Sequence, residues 1–307
     1  MKRIAGLAAG AVAVLAAAGL TGCGASDSGA GDGPVAVATT TMLGSVLDQI
    51  TECAGAESAT LMPPGADPHE FAPSSAQVAE MAHAELVVAN GLGLEGGLSD
   101  ALANVAADGV QLYEAAPDLD PLPLDAEHDH GRLDPHVWLD VARMATAARK
   151  IGGKLTEVTG EDFYTACGRE VAEDLTGTDG EIRQILGEVP ADQRVIVTDH
   201  MAFGYFAQAY DFEVAGTVVP GGSTEGQPSS AELAELVGVL DAEGVNAIFS
   251  NTATNSQLVD AVAAETGRAV SVVSLHVGSV GPAGSDADTY QGMMIANARS
   301  VADALGS

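Results

Sequence analysis

Beyond residue 34, short apolar runs alternate with amphipathic stretches along nearly the whole chain. Val35-Ala36-Val37-Ala38-Thr39-Thr40 is a compact run, and Met42, Val46, Leu47 and Ile50 then recur at helical spacing. The same unit repeats. Runs at 59–62, 86–89, 111–113, 194–198, 213–218, 247–250 and 269–275 predict strands, and helical patterns cover 75–84, 98–106, 138–151, 231–240, 258–266 and 290–305. Short apolar strands alternating with helices imply parallel sheets covered on both faces. Four strands fall before residue 120 and four after 190. The expected fold is therefore α/β with two lobes, each a mostly four-stranded parallel sheet flanked by helices. Between them, 160–187 lacks strand signals and places Phe163, Val171, Leu175, Ile182 and Leu186 at near-helical intervals. One long connecting helix is expected there, with a kink allowed by Gly177 and Gly180.

The first 23 residues break the pattern. Lys2 and Arg3 precede an almost unbroken Ala/Gly/Val/Leu stretch over 4–20, which ends in Leu20-Thr21-Gly22-Cys23. This resembles the lipobox of bacterial lipoproteins, in which the signal peptide (1–22) is removed and the Cys23 thiol is lipidated. A transmembrane helix is the competing reading. The leading charges, the Gly-Cys end and the Ser/Gly/Asp-rich tether at 23–33 weigh against it. The resemblance implies an extracytoplasmic protein held to the cell membrane by its lipid. It would have an N-terminal lobe over 34–158, a connecting helix over 159–188 and a C-terminal lobe over 189–307. Cys53 and Cys167 remain. In an oxidising compartment they permit one intramolecular bridge, and two separate buried thiols are the alternative.

Charge narrows the partners. The 307 residues carry 43 acidic and 12 basic side chains, a formal net charge of −31. Such a surface repels nucleic acid and anionic membrane, and it concentrates cations. No nucleic-acid partner is expected. The acidity is also what plain solubility would require.

Three of the seven histidines stand in segments that follow expected strands: His69 in Asp67-Pro68-His69-Glu70-Phe71, in the loop after the second strand; His136 in Asp134-Pro135-His136-Val137-Trp138-Leu139, between the fourth strand and a helix; and His200 in Thr198-Asp199-His200-Met201, after the fifth strand. In open α/β sheets ligands bind beyond the carboxyl ends of strands. Two such histidines in one lobe and one in the other point to a metal in a shared cleft. Alone, any of them would more simply be structural.

Together with His200-Met201-Ala202-Phe203-Gly204-Tyr205-Phe206, these segments resemble, in order and spacing, signatures of the bacterial solute-binding protein 9 family. Its members are zinc- and manganese-specific receptors of ABC importers. The resemblance spans nearly all of the chain after the tether. It implies two α/β lobes joined by a rigid helix, a metal held between them, and an ABC-transporter permease as partner of a monomeric receptor. It makes His69, His136 and His200 ligands; His200 occupies a position that is Glu in several manganese-type members. It also assigns a fourth ligand to a carboxylate before a Tyr near the last helix, here Asp288, with Asp286 as the nearby alternative. Gln227 and Asn251 stand where the family commonly has acids, and they bear on tuning rather than ligation. Three imidazoles and one carboxylate suit Zn(II) better than Mn(II), which favours more oxygen donors. A shell closed by four protein ligands would leave no position for an activated water, so a receptor is expected and not an enzyme.

Other histidines carry weaker readings. His128 and His130, in the acidic segment Glu127-His128-Asp129-His130, are either an accessory zinc-capturing loop or a solvated one. His83 reads as a helix-end surface residue, and His276, after the last strand, matches no ligand of the family. Two further functions compete. A metallohydrolase would need a motif such as His-Glu-x-x-His, whereas His69-Glu70 is followed by Phe71-Ala72-Pro73. A surface adhesin or scaffold with a purely structural metal would share the ligands without reversible binding.

Overall fold

A computed structural model describes residues 33–124 and 131–306. The signal segment 1–22, Cys23 with the tether up to residue 32, and the pair His128 and His130 lie outside the described residues.

The elements run β1 (Ala36–Ala38), α1 (Thr41–Cys53), β2 (Ser58–Thr60), α2 (Ser75–His83), β3 (Leu86–Ala89), α3 (Ser99–Ala107) and β4 (Gln111–Glu114). Two helices follow, α4 (Val141–Thr159) and α5 (Phe163–Leu186). The second series is β5 (Val195–Thr198), α6 (Gly204–Tyr210), β6 (Glu213–Thr217), α7 (Ser230–Ala242), β7 (Ala247–Asn251), α8 (Gln257–Glu265), β8 (Ser271–Leu275) and α9 (Tyr290–Leu305). Both sheets are four-stranded and fully parallel, in the orders β2-β1-β3-β4 and β6-β5-β7-β8. The α/β expectation with two such sheets holds.

Each buried strand sends alternate side chains to opposite faces. Val37 and Val87 enter an outer cluster with Met81, Leu98 and Leu102. Ala36, Ala38, Leu86 and Val88 enter a central cluster that also takes Ile196, Ala247 and Phe249 from the second sheet. Val197 and Ile248 face the second sheet's own outer cluster, against Leu236, Leu240 and Val262. The inner faces of the two sheets thus belong to one continuous core, in which α5 contributes Val171, Ala172, Leu175, Ile182 and Leu186.

Locally, one expectation is revised, one holds and one helix is unexpected. Helix α4 runs through Gly152-Gly153 to Thr159 instead of stopping at Ile151. The reason is packing: a Cβ on Gly152 would stand 2.5 Å from the Tyr164 carbonyl oxygen, and one on Gly168 would stand 2.7 Å from that of Ala148. Glycine here lets α4 and α5 touch backbone to backbone, which offsets its poor helix propensity. The expectation of one long helix over this stretch holds: α5 runs without interruption across Gly177 and Gly180. Helix α6, seven residues long, was hidden because Gly204–Tyr210 is too short to show a period.

Cys53, at the end of α1, is bonded to Cys167 in α5, with Cα atoms 5.8 Å apart and a sequence separation of 114. Closing a loop of that length stabilises the fold by about 4–5 kcal/mol in the chain-entropy account.

Candidate metal centre

The loops that follow the strands of both sheets meet at the seam between them. His69 stands after β2, His136 after β4 and His200 after β5. One ring nitrogen of each lies within 4.8 Å of the others, and among the described residues this is the one such grouping of three His, Cys, Asp or Glu side chains. The ring centroids are 5.2–5.6 Å apart. His69 Nε2 and His136 Nε2 approach to 3.2 Å. Two nitrogens of a tetrahedral zinc site are separated by about 3.3 Å when Zn–N is 2.0–2.1 Å, so the spacing suits a shared ion.

Each histidine follows an aspartate closely, and the aspartates shape the site. Asp134 Oδ1 accepts from the His136 backbone N–H at 2.9 Å and stands 2.7 Å from ring Nδ1. Asp199 Oδ1 does the same for His200, at 2.9 and 2.8 Å. A carboxylate at Nδ1 keeps the proton there and leaves Nε2 as the bare donor. Asp199 is fixed in turn through Oδ2, which accepts the Asn251 N–H at 3.0 Å. Asp67 behaves differently. Its Oδ1 accepts the His69 backbone N–H at 3.0 Å, while its Oδ2 accepts the Thr224 hydroxyl at 2.7 Å.

Behind His136, the Asn90 side chain donates to the Pro135 carbonyl at 2.9 Å. Asn90 is itself placed by the buried Glu95, whose carboxyl group accepts the backbone N–H of Asn90 and Gly91 and the Thr39 hydroxyl. Burial raises the Glu95 pKa despite those bonds. Gly278 completes the seam: a Cβ there would stand 2.9 Å from Pro68 Cδ, so the loop carrying His69 sits directly on the second half.

The electrostatics favour neutral rings. Burial, and then the nearness of His136 and His200, pull the His69 pKa down to about 3. Burial also lowers that of His136, against the opposing pull of Asp134. For Asp199, burial alone would raise the pKa. The hydrogen bond and charge of His200, with the N–H groups of Asn251 and His200, hold it below the usual carboxylate range. Neutral imidazole is the form that binds a metal.

Asp288 is not brought to this cluster, and this corrects the expected placement of the fourth ligand. Its side chain is exposed, its Oδ2 accepts the Gly284 N–H at 2.8 Å, and it faces a separate groove with Thr41, Ser45 and Asp48. The cause is local: the 284–288 turn that leads into α9 satisfies its own backbone with that carboxylate. Asp286 is likewise exposed. The four-ligand shell is therefore reduced to three imidazoles among the described residues, and the argument against catalysis from a closed shell loses its footing. His83 ends α2 at the surface, and His276 Nδ1 pairs with the Thr252 hydroxyl at 3.3 Å, outside the cluster. What sequence reading missed is the aspartate tier and Thr224. The first had a signal, an acid one or two residues before each clustered histidine, whereas Thr224 had none.

Comparison with known proteins agrees with this fold. The family model described as "Zinc-uptake complex component A periplasmic" (ZnuA) matches residues 36–304. The manganese-binding lipoprotein MntA of Halalkalibacterium halodurans is 31% identical over 280 residues, covering 89% of this chain and 90% of that protein. The zinc-binding protein TroA of Treponema pallidum is 30% identical, with 95% and 96% covered. Its solved structure superposes with a TM-score of 0.81 at 27% identity, over 90% of this chain and all of that one. On a match to all but the ends of the chain, the protein belongs to the ZnuA family of metal ABC-transporter substrate-binding proteins.

Proposed function

We propose that this protein is an extracytoplasmic receptor that captures Zn(II) between its two halves and hands it to the permease of an ABC importer. The observation that carries the reading is the trio His69, His136 and His200, with two rings oriented by Asp134 and Asp199. Three nitrogen donors and no oxygen donor among them match zinc better than manganese. The family description supports a periplasmic uptake role, and relatives bearing "lipoprotein" in their names support lipidation of Cys23. The receptor would act as a monomer, tethered through 23–33. A cargo site differs from a structural one in having to let go, and a protein shell of three ligands is easier to empty than one of four. That feature speaks for transport and against a scaffold whose metal is only structural. Relatives named for manganese make Mn(II) the rival cargo.

Metal analysis of the folded domain, with zinc and manganese titrated in competition, tests the reading. One zinc per chain, retained against excess manganese and lost when His136 is replaced by Ala, is the expected result. Preferential retention of manganese would overturn the zinc assignment while leaving the receptor reading intact. Binding of neither ion would overturn both.

A further inference from the structure

The hydrogen bonds that cross the seam are unevenly distributed. Away from the cleft mouth they are many. Trp138 Nε1 donates to the Val277 carbonyl at 2.8 Å, and the Tyr290 hydroxyl donates to the Trp138 carbonyl at 2.5 Å. The Tyr205 hydroxyl donates to the Asp134 carbonyl at 2.6 Å and accepts the Leu122 N–H at 3.0 Å. Ser279 Oγ accepts the Gly65 N–H at 2.7 Å. These bonds anchor His136 and the second half to each other whether or not an ion is present. On the remaining side lies a cavity of about 310 Å³ that reaches inward to His200 and Asp199 and is bounded by Asp67, Glu70 and Thr224. Across it, one side-chain bond joins the halves among those described: Thr224 Oγ1 to Asp67 Oδ2, at 2.7 Å.

We propose that Thr224 is a positioning residue for the ligand His69, acting through Asp67, and that it sets how fast the metal leaves. The inference rests on the metal-receptor reading above. The chain of contacts is short. Thr224 belongs to the 221–226 turn of the second half. It fixes one oxygen of Asp67, and the other oxygen holds the backbone N–H of His69. His69 is also the least buried of the three histidines, and, unlike the other two, its ring is not tied by the carboxylate that precedes it. With the bond made, the 67–69 turn is held against the second half and His69 Nε2 stays 3.2 Å from His136 Nε2. With it broken, the turn keeps the packing of Pro68 on Gly278 but loses its polar tie at the cleft mouth, and His69 is free to swing toward the cavity, while His136 and His200 remain fixed by their own aspartates. Loading and release would then proceed through one ligand rather than through separation of the two sheets, which the shared core resists.

The test is the rate at which zinc passes from loaded protein to an excess of a strong chelator, for the unaltered chain, Thr224→Val and Thr224→Ser. A hydrogen bond to a charged group is worth enough to change a rate about tenfold. Thr224→Val, which keeps the shape and removes the hydroxyl, should release zinc about tenfold faster with unchanged stoichiometry. Thr224→Ser should release it within about twofold of the unaltered rate. Equal rates for the Val variant and the unaltered chain would overturn the positioning role, and so would a Ser variant as fast as the Val variant, since then the hydroxyl is not the agent. Failure of the unaltered chain to bind zinc at all would overturn the zinc assignment and this inference together, and equilibrium titration separates that case from the others.

Discussion

The chain contains the tripeptide Asp-Pro-His twice, at 67–69 and at 134–136, and the two copies are built differently. In both, the aspartate accepts the backbone N–H of the histidine two residues on, at 3.0 and 2.9 Å. This is a local consequence of sequence, because a short acid two residues before an amide folds back on it. The divergence lies in what else the carboxylate does. Asp134 is buried, and its Oδ1 also reaches the ring of His136. Asp67 is half-buried at the cleft mouth, and its second oxygen goes to Thr224 across the seam. One copy fixes a ring, whereas the other fixes a turn to its neighbour. The lesson is that a motif specifies its own backbone, and the free lone pairs are assigned by whatever the fold packs alongside.

If that comparison is sound, the histidines themselves carry the largest effect. A structural zinc site binds with about 10–16 kcal/mol spread over four ligands, so His136→Ala or His200→Ala should each weaken zinc by about 3 kcal/mol, more than a hundredfold. His69→Ala should lose less than either, since its ring lacks the carboxylate that raises basicity in the other two. Competition against a chelator of known affinity measures all three. A His69→Ala loss exceeding that of His136→Ala would invert the ranking and break the contrast between the copies.

The aspartates should show a smaller, more discriminating difference. Asp134→Asn keeps the shape, removes the charge at Nδ1 and allows the wrong tautomer, a change that in comparable metal sites costs about 10–100-fold in affinity. Asp67→Asn should weaken equilibrium binding by at most about tenfold, the scale of one hydrogen bond to a charged group, with the change confined to release. Parallel titration and release kinetics would show it. Equal losses in the two variants would mean that the copies are interchangeable.

How much of this was legible beforehand varies by element. The strands at 86–89 and 247–251 are buried on both faces, so their apolar runs give them away. The three histidines could be found because each sits in a connection that leaves the carboxyl end of a strand, where chain order alone predicts a crevice. Helix α4 beyond Ile151 could not, because the Gly152–Gly168 contact that justifies it lies in another helix. Asp288 was misplaced for a related reason. The family pattern locates a carboxylate in the chain but not its direction, and direction is decided here by the Gly284 N–H. Thr224 was invisible because its partner lies 157 residues away and no spacing encodes it.

The smallest effect is a count of protons, and it separates this pocket from three ordinary histidines. With free imidazoles of pKa about 6.5, roughly three-quarters protonated at pH 6, zinc would displace about two protons from the trio on binding. Here burial and mutual repulsion put His69 at about 3 and lower His136 as well. A base whose pKa is lowered gives up its proton earlier as pH rises, so at pH 6 the His69 ring already stands neutral and has nothing to release. Zinc binding at pH 6 should therefore liberate fewer protons than the about two expected of three free imidazoles, because His69 has none to give. Affinity should fall less steeply between pH 7 and 6 than it would for three free imidazoles, because His69 takes no part in that titration. Calorimetric titration in buffers of different ionisation enthalpy counts the protons directly. Release of two or more at pH 6 would show that the empty pocket is open to water, with His69 relaxed away from His136, and the tight trio would then be a state the ion creates rather than one it finds.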